Sequence, residues 1–172
     1  RKVWGKFSLW IKKAKKPSGV ILFVSAQDLA KCDKSALYNE GRVIRELLEP
    51  LYRSTGICLP VYVVINECDH IPGFHSWASC LPEGAQNRPL GGCWQHALMI
   101  DAKDPDYINP FFEALTEGVQ CSQLRTLTGR MPEKSTLLML GLKRKILHLR
   151  EGLHVYLSSL SQPDSYAMHC SL

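Results

Sequence analysis

The spacing of apolar and polar positions changes several times along the chain, and each change marks an element. Over residues 2–15, Trp4, Phe7, Trp10 and Ile11 stand three to four apart among lysines, which predicts an amphipathic helix stopped by Pro17-Ser18-Gly19. Val20 to Val24 is continuously apolar, rich in β-branched residues and too short for a core helix, so it predicts a buried strand of the parallel-sheet kind. A polar loop from Ser25 to Asp28 leads into a long amphipathic helix over about 34–54. Its inward stripe is Leu37, Val43 or Ile44, Leu47, Leu48 and Leu51, with Glu40, Arg42, Arg45 and Glu49 outward. Gly56 and Pro60 end it, and Val61 to Ile65 form a second buried strand ending at Asn66. Strand, helix and strand at this spacing predict a βαβ crossover that delivers both strand ends to one edge of the sheet. In open α/β sheets that edge carries the ligand, which directs attention to the loops 25–28 and 66–69.

Residues 72–95 are punctuated by Pro and Gly and leave room for one short helix near 74–80 within a long loop. Trp94 and Ala97 to Ile100 predict a last edge strand or packed extended segment, followed by an acidic turn from Asp101 to Asp106. Helical spacing returns at Asn109 through Phe111, Phe112, Leu115, Val119, Leu124 and Leu127. After a break from Gly129 to Pro132, a helix over about 134–160 carries Leu137, Leu138, Leu142, Ile146, Leu149, Leu153, Tyr156, Leu157 and Leu160. Its wide apolar face packs on the sheet or on the preceding helix, or docks a larger assembly. The tail after Pro163 carries no assignment.

Composition narrows this picture. A chain of 172 residues that is 45% hydrophobic suits one domain, which at this size buries roughly two-thirds of its unfolded surface. No stretch approaches the length of apolar sequence that a membrane helix requires. The chain opens on Arg1 without a signal-like apolar run, and is read as internal to a longer protein that is itself free to be membrane-anchored. Its seven cysteines are odd in number and scattered without CxxC spacing, which predicts free thiols in a reducing compartment.

The net charge of +5 is concentrated at one end, where Arg1, Lys2, Lys6, Lys12, Lys13, Lys15 and Lys16 all precede the first acidic residue, Asp28. Lys12, Lys13, Lys15 and Lys16 are the candidate interaction residues, facing anionic lipid or an acidic protein, or else forming the solvated side of the first helix. Basic and aromatic residues do not go on interleaving downstream, so nucleic acid is not an expected partner.

The candidate chemistry sits past the second strand. Asn66-Glu67-Cys68-Asp69 has the form of the NKxD motif with which GTPases read guanine: Asn ties neighbouring loops, the Lys stem packs on the base, and Asp accepts from the base nitrogens. Here Glu67 holds the Lys position and adds negative charge where an anionic nucleotide would lie. Asn66 and Asp69 are therefore cofactor-binding candidates of a degenerate site, or caps of the following turn. No GxxxxGK[ST] is present, so the phosphate-cradling nest, its lysine and its Mg²⁺ hydroxyl are missing, and no catalytic residue is expected in this chain. Cys68, His70, His75, Cys80, Cys93 and His96 fit no common zinc spacing, and nothing orients a Cys-His pair, so neither a metal nor a thiol nucleophile is expected.

The order of these features is similar to that of one family. A basic, Trp-containing helix, then Pro17-x-Gly19-Val20-Ile21-Leu22-x-Val24-Ser25-x-x-Asp28-Leu29, a long helix, and Leu59-Pro60-Val61-Tyr62-Val63-Val64-x-Asn66-x-Cys68-Asp69-x-Ile71-Pro72-Gly73-Phe74 together resemble the cytoplasmic domain of the IcmF family. These are the TssM inner-membrane subunits of type VI secretion systems. The resemblance is strong over about 4–75 and continues weakly to about 160. It implies an α/β fold, a partial P-loop-NTPase or small-GTPase-like parallel sheet with a C-terminal helical extension. Residues 1–108 would be the distal half of the GTPase-like domain and 109–172 the helical extension packed on it. Ser25, Asp28 and Leu29 match the family's strand-end motif, and Asn66, Cys68 and Asp69 its guanine-reading signature.

The function this resemblance implies is a non-catalytic scaffold and interaction module, a structural component of protein secretion on the cytoplasmic face of the bacterial inner membrane. Its partners would be other membrane-complex and baseplate proteins, and no cofactor is expected in the chain alone. A second reading is a nucleotide switch that binds GTP or ATP with Mg²⁺ once an amino-terminal P-loop half is supplied. A third is a peripheral membrane-binding domain with its first helix exposed.

Overall fold

The computed structural model describes residues 18–31, 33–55, 60–86, 90–91, 108–127 and 133–161. Strands β1 (Val20–Ser25) and β2 (Val61–Asn66) pair in parallel, Val20 opposite Val61 and Ser25 opposite Asn66. Their Val and Ile content suits a pleated, half-buried surface. The short helix α1 (Ala26–Lys31) follows β1 directly, and α2 (Lys34–Thr55) spans the crossover to β2. Asp33 Oδ1 caps α2 by accepting from the backbone N–H groups of Ser35 and Ala36, both at 3.1 Å.

After β2 come a 3₁₀ turn (Cys68–His70), α3 (Phe74–Ala78) and α4 (Glu83–Gln86), then α5 (Asn109–Leu127), α6 (Glu133–Leu140) and α7 (Leu142–Ser161). The single helix predicted over 134–160 is thus two helices parted at Gly141. Helix ends leave carbonyls without intrahelical donors, and Gln123 Nε2 donates to one of them, the carbonyl of Met139, at 2.5 Å. Both Met139 and Leu142, on either side of the break, are fully buried.

Helix α7 supplies the centre of the molecule. Leu142, Ile146, Leu149, Leu153 and Tyr156 recur at helical spacing along one stripe and are all buried. They form one cluster with Val24, Ala26 and Leu29 around β1 and α1, Leu37 of α2, Ile71, Trp77 of α3, and Ile108, Phe112 and Val119 at α5. Two glycines permit the close crossings. A Cβ at Gly152 would stand 2.6 Å from the carbonyl oxygen of Leu29, and one at Gly41 would run into Ser159 Oγ and stand 2.7 Å from the carbonyl oxygen of Tyr156.

This arrangement corrects the expected partial P-loop-NTPase, small-GTPase-like sheet with a helical extension. Among the described residues the sheet has two strands only, inside a mostly helical fold. A GTPase-like core would place a multi-stranded parallel sheet in the middle with helices on both faces. Here α7 takes the middle and the sheet is one wall, because Val24, Val63 and Ile65 turn toward α7's cluster while among the described residues nothing covers the other face of the sheet. On that open face Ile21 is 59%, Phe23 65%, Tyr62 56% and Val64 39% exposed. The apolar runs therefore form strands as expected, but strands that are covered on one side only among the described residues.

The helix expected over 2–15 with Lys12, Lys13, Lys15 and Lys16, the extended segment at 94–100, and the tail after Pro163 lie outside the described residues. Among the described residues no helix is long and apolar enough to cross a membrane.

Candidate functional site at the strand ends

Parallel pairing in register brings the C-terminal ends of both strands together, so Ser25 and Asn66 sit side by side. The chain turns sharply after Asn66. Glu67 adopts the left-handed conformation, φ 58 and ψ 29, and among the described residues it alone of the non-glycines has a positive φ. Such a backbone is uncommon for a side chain bearing a Cβ. The Glu67 carboxylate meets the end of β1, where Ser25 Oγ donates to Glu67 Oε2 at 2.5 Å. The same hydroxyl accepts from the Gln27 backbone N–H at 3.2 Å. Ser25 thereby links the end of β2, the end of β1 and the start of α1.

Charge alternates along this edge. Lys31 Nζ lies 2.8 Å from Asp28 Oδ1. The hydrogen bond and charge of Asp28 hold the Lys31 ammonium above its ordinary range, and the carboxylate of Glu67 adds to this. The motif residue Asp28 thus pairs with Lys31 within α1, the helix that Ser25 begins at this edge.

The turn beyond Glu67 is closed by backbone donors. The N–H of His70 reaches the carbonyl of Glu67 at 3.1 Å and that of Ile71 reaches the carbonyl of Cys68 at 3.0 Å, with no side-chain cap. Asn66 and Asp69 are both exposed and flank Glu67 on this edge, so the structure places the two candidates close together. Cys68 between them is half-buried, and its thiol lies 3.5 Å from the carbonyl oxygen of Ile65. Burial, aided by the negative charge of Asp69, pushes that thiol above its ordinary pKa. A raised pKa keeps the sulfur protonated and a poor nucleophile.

In the NKxD arrangement the residue after Asn offers a cationic stem to a base. Here it offers a carboxylate that is hydrogen-bonded to the neighbouring strand. The identity of Glu67 was legible in the sequence as a departure, but its bond to Ser25 was not. The signal that could have found it is the equal length of the two apolar runs, which sets Ser25 against Asn66 and so puts Glu67 within reach.

Elsewhere, a hollow of about 400 Å³ is lined by Lys34, Ile108, Asn109, Arg150, Glu151, His154 and Val155, and none of the strand-end residues contributes to it. Among the described residues no group of three or more His, Cys, Asp or Glu side chains is placed to hold a metal ion. Of the cysteines and histidines considered for zinc, Cys93 and His96 lie outside the described residues.

A family model described as the IcmF-related N-terminal domain matches residues 1–171. No curated protein and no solved structure gives a significant match.

Proposed function

This chain belongs to the IcmF-related N-terminal domain family, and from that membership we propose that it is a non-catalytic scaffold and interaction module of a type VI secretion membrane complex. In this reading it works on the cytoplasmic face of the bacterial inner membrane, against other membrane-complex and baseplate proteins. The observation that carries the reading is the bond between Ser25 and Glu67. It turns the edge where a guanine base would be read into a tie between two strands, with a negative charge where a nucleotide would want a positive one.

The helical side supports the interaction role. Leu124 of α5 and Leu137 and Leu140 of α6 are 63%, 64% and 53% exposed, close in sequence to the Gln123–Met139 bond that joins the two helices. Burying a leucine against a partner is worth roughly 1.5–3 kcal/mol, so a few such side chains can anchor a protein contact.

The test uses the full-length protein in its host. Leu137→Asp combined with Leu140→Asp should abolish co-purification of the neighbouring membrane-complex subunits and block secretion, while Asp69→Ala leaves both at wild-type levels. Secretion lost on Asp69→Ala and retained in the leucine variant would overturn the scaffold reading in favour of a nucleotide-dependent one.

A further inference from the structure

A parallel pair of strands with one bare apolar face is unusual, because parallel sheets are covered on both sides. The bare face here is built from Ile21 opposite Tyr62 and Phe23 opposite Val64, all exposed among the described residues. We propose that residues 2–15 of this same chain pack on that face as a helix, so that the sheet lies between that helix and α7.

Three observations converge on this occupant. The first is where the segment ends. Only Ser18 and Gly19 separate Pro17 from β1, and a Cβ on Gly19 would stand 2.9 Å from the ring of Tyr62 and 3.1 Å from the carbonyl oxygen of Pro60. The chain therefore runs into β1 against Tyr62, a member of the bare face, and connections of this length are ordinary between a helix and the strand it covers.

The second is length. Fourteen residues of helix extend about 21 Å, and a six-residue strand such as β1 extends about 20 Å. A helix folded back from Gly19 runs the full length of the sheet and no further.

The third is pattern. Trp4, Phe7, Trp10 and Ile11 occupy about one third of the circumference of a helix, with Lys15 at one margin of that arc and Lys2, Lys6, Lys12 and Lys13 around the rest. Two Trp, one Phe and one Ile thus face two Ile/Val and two aromatic side chains of the sheet, while the ammonium groups stay in water. The leucines of α5 and α6 remain free for partner proteins in this arrangement.

Amide hydrogen exchange on the purified 172-residue chain tests the proposal, without vesicles and then with vesicles of phosphatidylglycerol and phosphatidylethanolamine. Residues 3–14 should exchange slowly in the vesicle-free chain, at a rate independent of chain concentration. Phe7→Ser combined with Trp10→Ser should speed exchange about tenfold or more in 3–14, 20–25 and 61–66 together, leaving 142–160 as in the wild type. Should the double variant lose protection throughout, the milder Ile11→Ala decides by the same pattern. Exchange of 3–14 at unstructured-chain rates overturns the proposal, as does protection that appears only with vesicles or only at high chain concentration. Loss of protection confined to 3–14 in either variant, with β1 and β2 unmoved, also overturns it.

Discussion

Glu67 does two things that oppose each other. Its left-handed backbone costs a residue with a Cβ on the order of 1 kcal/mol or more, while its carboxylate accepts the Ser25 hydroxyl and neighbours the Lys31 ammonium. The two effects separate by substitution. A double-mutant cycle on Ser25→Ala and Glu67→Ala should give a coupling of about 0.5–1 kcal/mol in urea unfolding, modest because the pair is near solvent. Glu67→Gly loses the same bond but sheds the strain, and should be about 1 kcal/mol more stable than Glu67→Ala. Equal stabilities for the Gly and Ala variants would show that the turn carries no strain.

Tyr156 sets a second test at this scale. It is 1% exposed, and burial, with the nearby charge of Glu40, raises its phenol from the ordinary 10.0 to about 12. In the unfolded chain the phenol therefore ionises first as pH rises, so the stability it contributes is whole below pH 10 and drains away toward pH 12. Tyr156→Phe should flatten the fall of Tm over that window relative to wild type. An unchanged alkaline slope would show that the phenol is not shielded from solvent.

At the scale of elements, the fold depends on how closely α7 approaches its neighbours. Gly152→Ala pushes a methyl group into the backbone at Leu29, and overpacking of this kind costs about 1–3 kcal/mol. Trp77 anchors α3 on α5 through its indole N–H, which donates to Ser122 Oγ at 2.6 Å, and its ring meets that of Phe74 in the same helix edge-on, centroids 5.5 Å apart. Trp77→Phe should cost about 1 kcal/mol or more from the lost donor and the smaller ring, read in the same urea experiment. A loss below a few tenths in either variant would contradict the packing described.

Most elements were legible because their signals are local. The β-branched runs from Val20 and Val61, the long amphipathic stretch after Lys34 and the helical spacing from Asn109 each report on their own backbone. The break at Gly141 was not, since Leu137, Leu138 and Leu142 keep helical spacing across it. Gln123, whose bond to the Met139 carbonyl serves the end of α6, stands 16 residues away.

At the scale of the whole molecule the sequence was a weaker guide. A continuous apolar run does not say which segment covers each face of a strand, so Phe23 and Tyr62 looked like core positions although no described residue buries them. The central place of α7 likewise depends on contacts between residues as distant as Leu29 and Gly152. The candidate site divided in the same way. The position of Asn66 and Asp69 at a strand end was readable from the βαβ spacing, whereas the Ser25–Glu67 tie joins residues 42 apart and exists only once the strands are in register.

On the proposed reading this edge serves as a structural tie in a scaffold and reads no nucleotide. Calorimetric titration of GTP and of ATP, each with Mg²⁺, into the purified full-length protein, beside its Asp69→Ala form, is the decisive test. Neither nucleotide should bind tighter than about 1 mM, a free energy of roughly −4 kcal/mol, and the traces of both forms should be identical. Micromolar binding by the wild type that Asp69→Ala abolishes would contradict that reading, and would make the strand ends a working nucleotide site despite Glu67.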